Sequence, residues 1–148
     1  RSARVYLAGA YARLGKIKEA IAQYQELVKL VPKDALVLND LAWLYYQAGD
    51  SQALATAEQA HKLAADNPVV LDTLGWILVE QGQSKRGVDL LGKAVAKSEG
   101  APSIRYRYAA ALAKTGQKAR ARKELELLLS ANRTFPEQAQ ASALLKSL

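Results

Sequence analysis

Apolar residues recur along the chain in steps of three and four, and the whole pattern restarts at intervals of 33 or 34 positions. In the first block Leu7, Ala8, Tyr11 and Leu14 share one face of a helix, and Gly15 follows. A second stripe runs through Ile17, Ala20, Ile21, Tyr24, Leu27 and Val28, and Pro32-Lys33-Asp34 interrupts it. The order recurs around Gly49, Gly82 and Gly116. Small residues keep the same period at Ala20, Ala53, Gly87 and Ala121, and again at Ala8, Ala42, Gly75 and Ala109. Further columns are Tyr11, Tyr45, Leu78, Leu112 and Leu27, Ala60, Ala94, Leu128. Almost no window alternates with period two, so the pattern predicts helices and no strands.

Each block reads as two antiparallel helices. The recurrent glycine suits a helix C-terminus that turns through the left-handed region, where a Cβ is costly. Pro68 and Pro102 sit where a following helix opens and a missing N–H does no harm. One such pair cannot bury its apolar face alone, whereas stacked copies can. The expected organisation is four helix-turn-helix repeats at 1–34, 35–67, 68–101 and 102–135, then a capping helix over 136–148. In that last segment Pro136 marks a first turn, and Ala141, Ala143, Leu144, Leu145 and Leu148 form an apolar stripe. No comparable cap precedes the first block, and the chain opens on Arg1 rather than Met. An array that continues upstream is therefore expected.

These columns resemble the tetratricopeptide (TPR) motif. The first block carries Leu7-Ala8, Tyr11, Gly15, Ala20, Tyr24 and Pro32 in register with the family pattern. The third carries Leu74-Gly75, Gly82 and Ala94, and the fourth Ala109, Gly116 and Ala121. Departures occur at Arg4 and Arg105, at Gly87, and where Ala65, Glu99 and Arg133 replace the terminal proline. The resemblance implies an all-α, right-handed superhelix (an α-solenoid) that acts as a non-catalytic protein-interaction scaffold. Its first helices would line a concave groove for a partner segment. A narrower likeness lies in Leu38-Asn39-Asp40-Leu41-Ala42-Trp43 and in the string from Asn67 to Val79. Both resemble the C-terminal repeats of bacterial lipoproteins of the PEP-CTERM and exopolysaccharide system. That likeness implies a periplasmic, cell-envelope setting, with the cytoplasm as the alternative.

Composition narrows the chemistry. The chain has 148 residues, half of them apolar, with no cysteine and one histidine, His61. Disulfides, thiolate sites, a catalytic thiol and a histidine-pair metal site are thereby excluded. No cofactor, metal or catalytic group is expected, and no apolar run reaches the ~18 residues of a membrane span. The net charge of +7 is uneven: residues 35–67 are acidic, and both ends are basic. Nucleic acid is disfavoured, because a binder usually shows one continuous basic face.

Helical spacing and the family's geometry together place Asn39, Trp43, Tyr46 and Gln47 of the second block on the groove. With them stand Asp72, Trp76 and Glu80 of the third and Tyr106 of the fourth. Trp43 and Trp76 hold the same repeat position, and aromatic anchors of this kind dominate binding hot spots. The family's carboxylate clamp for a free peptide C-terminus is not matched at Val5, Gly9, Asp40, Val69 and Thr73; shifted one repeat, Arg107 alone fits. An acidic, aromatic groove would suit a basic or apolar extended segment. The run Lys118, Arg120, Arg122 and Lys123 forms a second candidate contact patch for an acidic partner. Two other readings stand beside the first: a spacer or self-associating module acting through the uncapped first repeat, and glycan stacking on the groove aromatics.

Overall fold

The computed structural model describes residues 2–148, and among them the secondary structure is helical throughout. The order is α1 (Ser2–Arg13), α2 (Ile17–Leu30), α3 (Ala35–Gln47), α4 (Ala53–Leu63), α5 (Pro68–Glu80), α6 (Ser84–Lys97), α7 (Pro102–Lys114), α8 (Lys118–Ser130) and α9 (Gln138–Ser147). Successive helices pack as antiparallel pairs: α1 with α2, α3 with α4, α5 with α6 and α7 with α8. Each pair stacks on the next through α2–α3, α4–α5 and α6–α7. The first helices also touch one another, α3 on α5 and α5 on α7, and so form the inner wall of an all-α superhelix.

The turn inside each pair is the same structure repeated. Gly15, Gly49, Gly82 and Gly116 have φ of 73°, 69°, 87° and 87°. The residue after each donates its backbone N–H across the turn to a carbonyl five positions back: Lys16 to Tyr11, Asp50 to Tyr45, Gln83 to Leu78 and Gln117 to Leu112, at 2.8–2.9 Å. This bond satisfies a helix-end carbonyl, and it requires a left-handed residue that only glycine supplies without strain. Between pairs the chain re-enters a helix on side-chain caps. Asp34 accepts from the N–H groups of Leu36 and Val37, and Asn67 from those of Val69 and Val70. Pro68 and Pro102 open α5 and α7.

The repeated small residues are buried where helices approach most closely. Ala8, Ala42, Ala109, Ala20, Ala60, Ala94 and Ala121 are fully buried, as are Leu27, Leu74, Leu78, Leu112 and Leu125. Leu7 is exposed, whereas Leu41 and Leu74, at the equivalent positions of the next two pairs, are covered, because no described helix lies on the outer side of α1. At the other end α9 packs on α8 and buries Ala141, with Leu144, Leu145 and Leu148 partly covered. Ala143 faces solvent, so the closing stripe is narrower than its sequence suggested. The helix starts at Gln138, two residues beyond Pro136. No helix among the described residues is long and apolar enough to cross a membrane.

Candidate functional site

The inner wall forms a groove of about 450 Å³ that is lined by residues of all four pairs. Helix α3 provides its floor and one wall through Asn39, Asp40, Trp43, Leu44 and Gln47. Val69, Asp72 and Thr73 of α5 face them, Arg107 of α7 closes one end, and Arg13 with Tyr24 stands at the other. Neighbours on α3 fall three or four residues apart, so Asn39, Trp43 and Gln47 form one line along the helix.

Asn39 is 3% exposed, yet its side-chain oxygen Oδ1 has no hydrogen-bond partner. Its amide Nδ2 donates to Asp40 at 3.4 Å. The Asp40 carboxylate opens toward the groove and accepts from the Tyr24 hydroxyl at 3.3 Å. Both of its donors are neutral. Partial removal from water raises its pKa above the ordinary carboxylate value, and the bonds from Asn39 and Tyr24 offset that in part.

Asp72 is arranged differently. It is buried, and the Arg107 guanidinium grips it with two nitrogens: Nε lies 2.7 and 2.9 Å from the two carboxylate oxygens, and Nη2 also reaches Oδ2. Burial opposes both charges. It holds Asp72 above its usual range despite the partner, while Asp72 keeps Arg107 firmly protonated. The same guanidinium lies 5.5 Å from the centre of the Trp43 ring, within cation–π reach. It is 4.0 Å from Glu137, which accepts from the Ser103 hydroxyl at 2.9 Å. Arg107 therefore ties α5, α7 and the link into α9 around one face of Trp43.

The remaining sequence-predicted residues, Tyr46, Trp76, Glu80 and Tyr106, lie outside the lining of the groove. The Trp76 indole N–H donates to the Tyr46 hydroxyl at 2.9 Å, and that hydroxyl donates to Glu80 at 2.8 Å. Glu80 also accepts from Lys114, which holds its carboxyl below the ordinary value. Trp76 rests on the cluster of Val79, Val88, Leu91 and Leu112. Tyr106 packs against Leu125, Phe135 and Ala141. Of the eight groove candidates, Asn39, Trp43, Gln47 and Asp72 line the groove; Tyr46, Trp76, Glu80 and Tyr106 do not. Trp43 and Tyr46 stay close, their rings 5.1 Å apart.

Sequence reasoning missed the charge balance. The groove holds Arg13 and Arg107 against Asp40 and Asp72, so it is not simply acidic. Arg107 was visible only as a lone match to the clamp pattern; its partner Asp72 lies 35 positions earlier, one repeat plus one residue. Asp40 carried a signal too, as the charged residue inside the otherwise apolar stretch of α3. Lys118, Arg120, Arg122 and Lys123 are all exposed on α8. Arg120 donates to the Tyr108 hydroxyl at 2.7 Å and Arg122 to the Leu148 carbonyl at 2.6 Å, so half of that patch brackets neighbouring segments.

Tyr24 gives this site a measurable signature. Burial first, and then the nearby Asp40 charge and the bond to it, push its hydroxyl from 10.0 up to about 12, with Arg13 pulling the other way. Between those values the unfolded chain has released the proton and the folded chain still holds it. Stability therefore falls as pH rises through that window, by about 2–3 kcal/mol across it. Urea unfolding at a series of alkaline pH values should show a shallower fall for Tyr24→Phe than for the parent. Equal slopes would contradict the placement of that hydroxyl.

Comparison with known proteins agrees with this architecture. A tetratricopeptide-repeat family model matches residues 78–145, and a second TPR-repeat model matches residues 9–49. The chain belongs to the tetratricopeptide-repeat family. Among solved structures, a thermophilic TPR protein of Thermus thermophilus superposes with a TM-score of 0.83 at 20% identity, over 97% of this chain and 80% of that one. Pseudomonas aeruginosa pilF gives 0.82 at 21% identity, over 99% and 68%. YrrB, described as a TPR protein with an unusual peptide-binding site, gives 0.70 at 20% identity, over 96% and 72%. At these identities the likeness is one of fold. No curated protein sequence is significantly similar to the chain.

Proposed function

We propose that this TPR array is a non-catalytic interaction module whose concave groove takes an extended segment of a partner protein, with the four repeats divided at 34, 67, 101 and 135. The observation that carries the reading is the buried, unpartnered Oδ1 of Asn39 on the floor of an aromatic-walled groove. Leaving such an acceptor unsatisfied costs about 1–3 kcal/mol, and a donor from a bound backbone recovers it. TPR folds commonly mediate protein–protein contacts, and YrrB's described peptide-binding site supports the same use here. The envelope setting implied by the strings around Trp43 and Trp76 belongs to this proposal, and cell fractionation tests it.

The structure chooses the variants for the test. Trp76 is bonded to Tyr46 and braces the core, so replacing it confuses binding with folding. Val69 is 45% exposed on the groove wall and can be replaced freely. Val69→Arg should abolish capture of a partner from extracts of the source organism while leaving circular dichroism unchanged. Trp43→Ala should weaken that binding by at least ~2 kcal/mol. Full capture by both variants would refute the groove as the site.

A second reading has its own observation. Tyr6 on α1 and Leu14 just beyond its end are 75% and 72% exposed, and Val5 and Leu7 of the same helix are exposed too. This apolar end favours end-to-end stacking of copies. Sedimentation that shows mass rising with concentration, and Tyr6→Lys abolishing the rise, supports it; a strict monomer removes it.

A further inference from the structure

The carboxylates of the inner wall differ in one respect. Asp72 is neutralised by Arg107 and Glu80 by Lys114. Asp40 faces the groove on neutral donors alone, the Tyr24 hydroxyl and the Asn39 amide. Next to it the Asn39 oxygen lacks a partner. The floor of α3 therefore offers two adjacent acceptors, an exposed carboxylate with no cationic partner and a buried amide oxygen with no donor. Trp43, Leu44 and Val69 line the approach with apolar surface, which suits the methylene stem of a long side chain. A cation at the far end of such a stem meets Asp40. The two arginines bound its place: Arg107 is held at the other end by Asp72, and Arg13 stands toward Tyr24.

Resting on the groove reading, we infer that Asn39 and Asp40 form the subsite for a lysine or arginine side chain of the bound extended segment. The cation pairs with the Asp40 carboxylate. The Asn39 oxygen takes an N–H from the same ligand after a small turn about its terminal torsion, which is broad for asparagine. Arg13, with no ion-pair partner among the described residues, remains to meet a carbonyl or carboxylate of the same segment. The occupant is thus a peptide with a basic residue, not a free C-terminus gripped by a basic clamp.

The test uses acetylated, amidated pentapeptides Ala-Ala-X-Ala-Ala, with X as lysine, arginine, norleucine or glutamate, and cadaverine as a small-cation control. Binding is read from tryptophan fluorescence in the parent chain and in Asp40→Asn. Lysine and arginine peptides should bind about tenfold tighter than norleucine, which has the stem without the charge. Asp40→Asn should erase that difference and leave norleucine unchanged. Equal binding of lysine, norleucine and glutamate peptides would overturn the cation subsite and leave the groove reading intact. Cadaverine binding as tightly as the lysine peptide would overturn the peptide part. No saturable signal from any peptide would overturn both. The lysine-to-norleucine comparison needs no variant, so a folding defect in Asp40→Asn would not blunt the test.

Discussion

Arg107→Met lowers folding stability by about 3 kcal/mol, and adding Asp72→Asn to the same chain recovers most of the loss. The single change strands a carboxylate that is 4% exposed and has its bidentate partner removed. Its cost is mainly the penalty of an uncompensated buried charge, so neutralising that charge should restore stability even without the ion pair. The sign with pH follows. Burial raises Asp72, and without Arg107 nothing on the guanidinium side opposes it. A carboxyl whose folded pKa lies above its unfolded value stabilises the fold below that unfolded value and loses this contribution as pH rises. The deficit of the single variant therefore shrinks on acidification. Urea unfolding of the parent, the single and the double variant at two pH values measures all three quantities. Equal stability of parent and Arg107→Met at neutral pH would show that the pair is not closed in solution.

Gly87→Leu costs at least about 3 kcal/mol, and Gly87→Ala about 1–3 despite the helix propensity gained. The cause is the crossing of α5 and α6. A Cβ built on Gly87 would lie 2.6 Å from Val79 Cγ2, 2.7 Å from the Gly75 carbonyl oxygen and 2.9 Å from the Val79 nitrogen. Two of those three atoms are backbone and cannot turn aside. Gly75 meets the reverse contact, 2.9 Å from the Gly87 carbonyl oxygen. The two glycines let these helices approach more closely than the alanines at the equivalent positions of the other pairs allow. Denaturant midpoints check the prediction, and a Gly87→Ala protein as stable as the parent would refute this close crossing.

The fold was legible in the sequence because its causes are local and repeated. The period of the glycines dictates four identical turns, and the small-residue columns dictate where helices cross. Gly87, a departure from the family's alanine, turned out to pair with Gly75, a reciprocity that no single column displays. The site was legible only in part. Asn39, Trp43 and Gln47 follow from spacing along one helix. Asp72 lies on the groove wall, and its pairing was not readable in the sequence because its partner Arg107 comes from a helix two elements later. Trp76 shares a repeat position with Trp43 and differs in its surroundings: Tyr46 takes its N–H, and the larger apolar cluster of the third and fourth pairs takes its ring. Repeat position fixes direction, whereas the neighbours, which differ from repeat to repeat, fix what a side chain does there.

The two tryptophans of the chain make occupation of the groove directly measurable. Their indole N–H signals are easily assigned in a nitrogen–proton correlation spectrum by replacing Trp43 alone. Titration with a randomised pool of acetylated, amidated octapeptides should move the Trp43 signal and the amides of Asn39, Gln47 and Val69. The Trp76 indole, already bonded to Tyr46, should stay in place. Movement confined to Lys118–Lys123 on the outer helix, with Trp43 unmoved, would contradict the account.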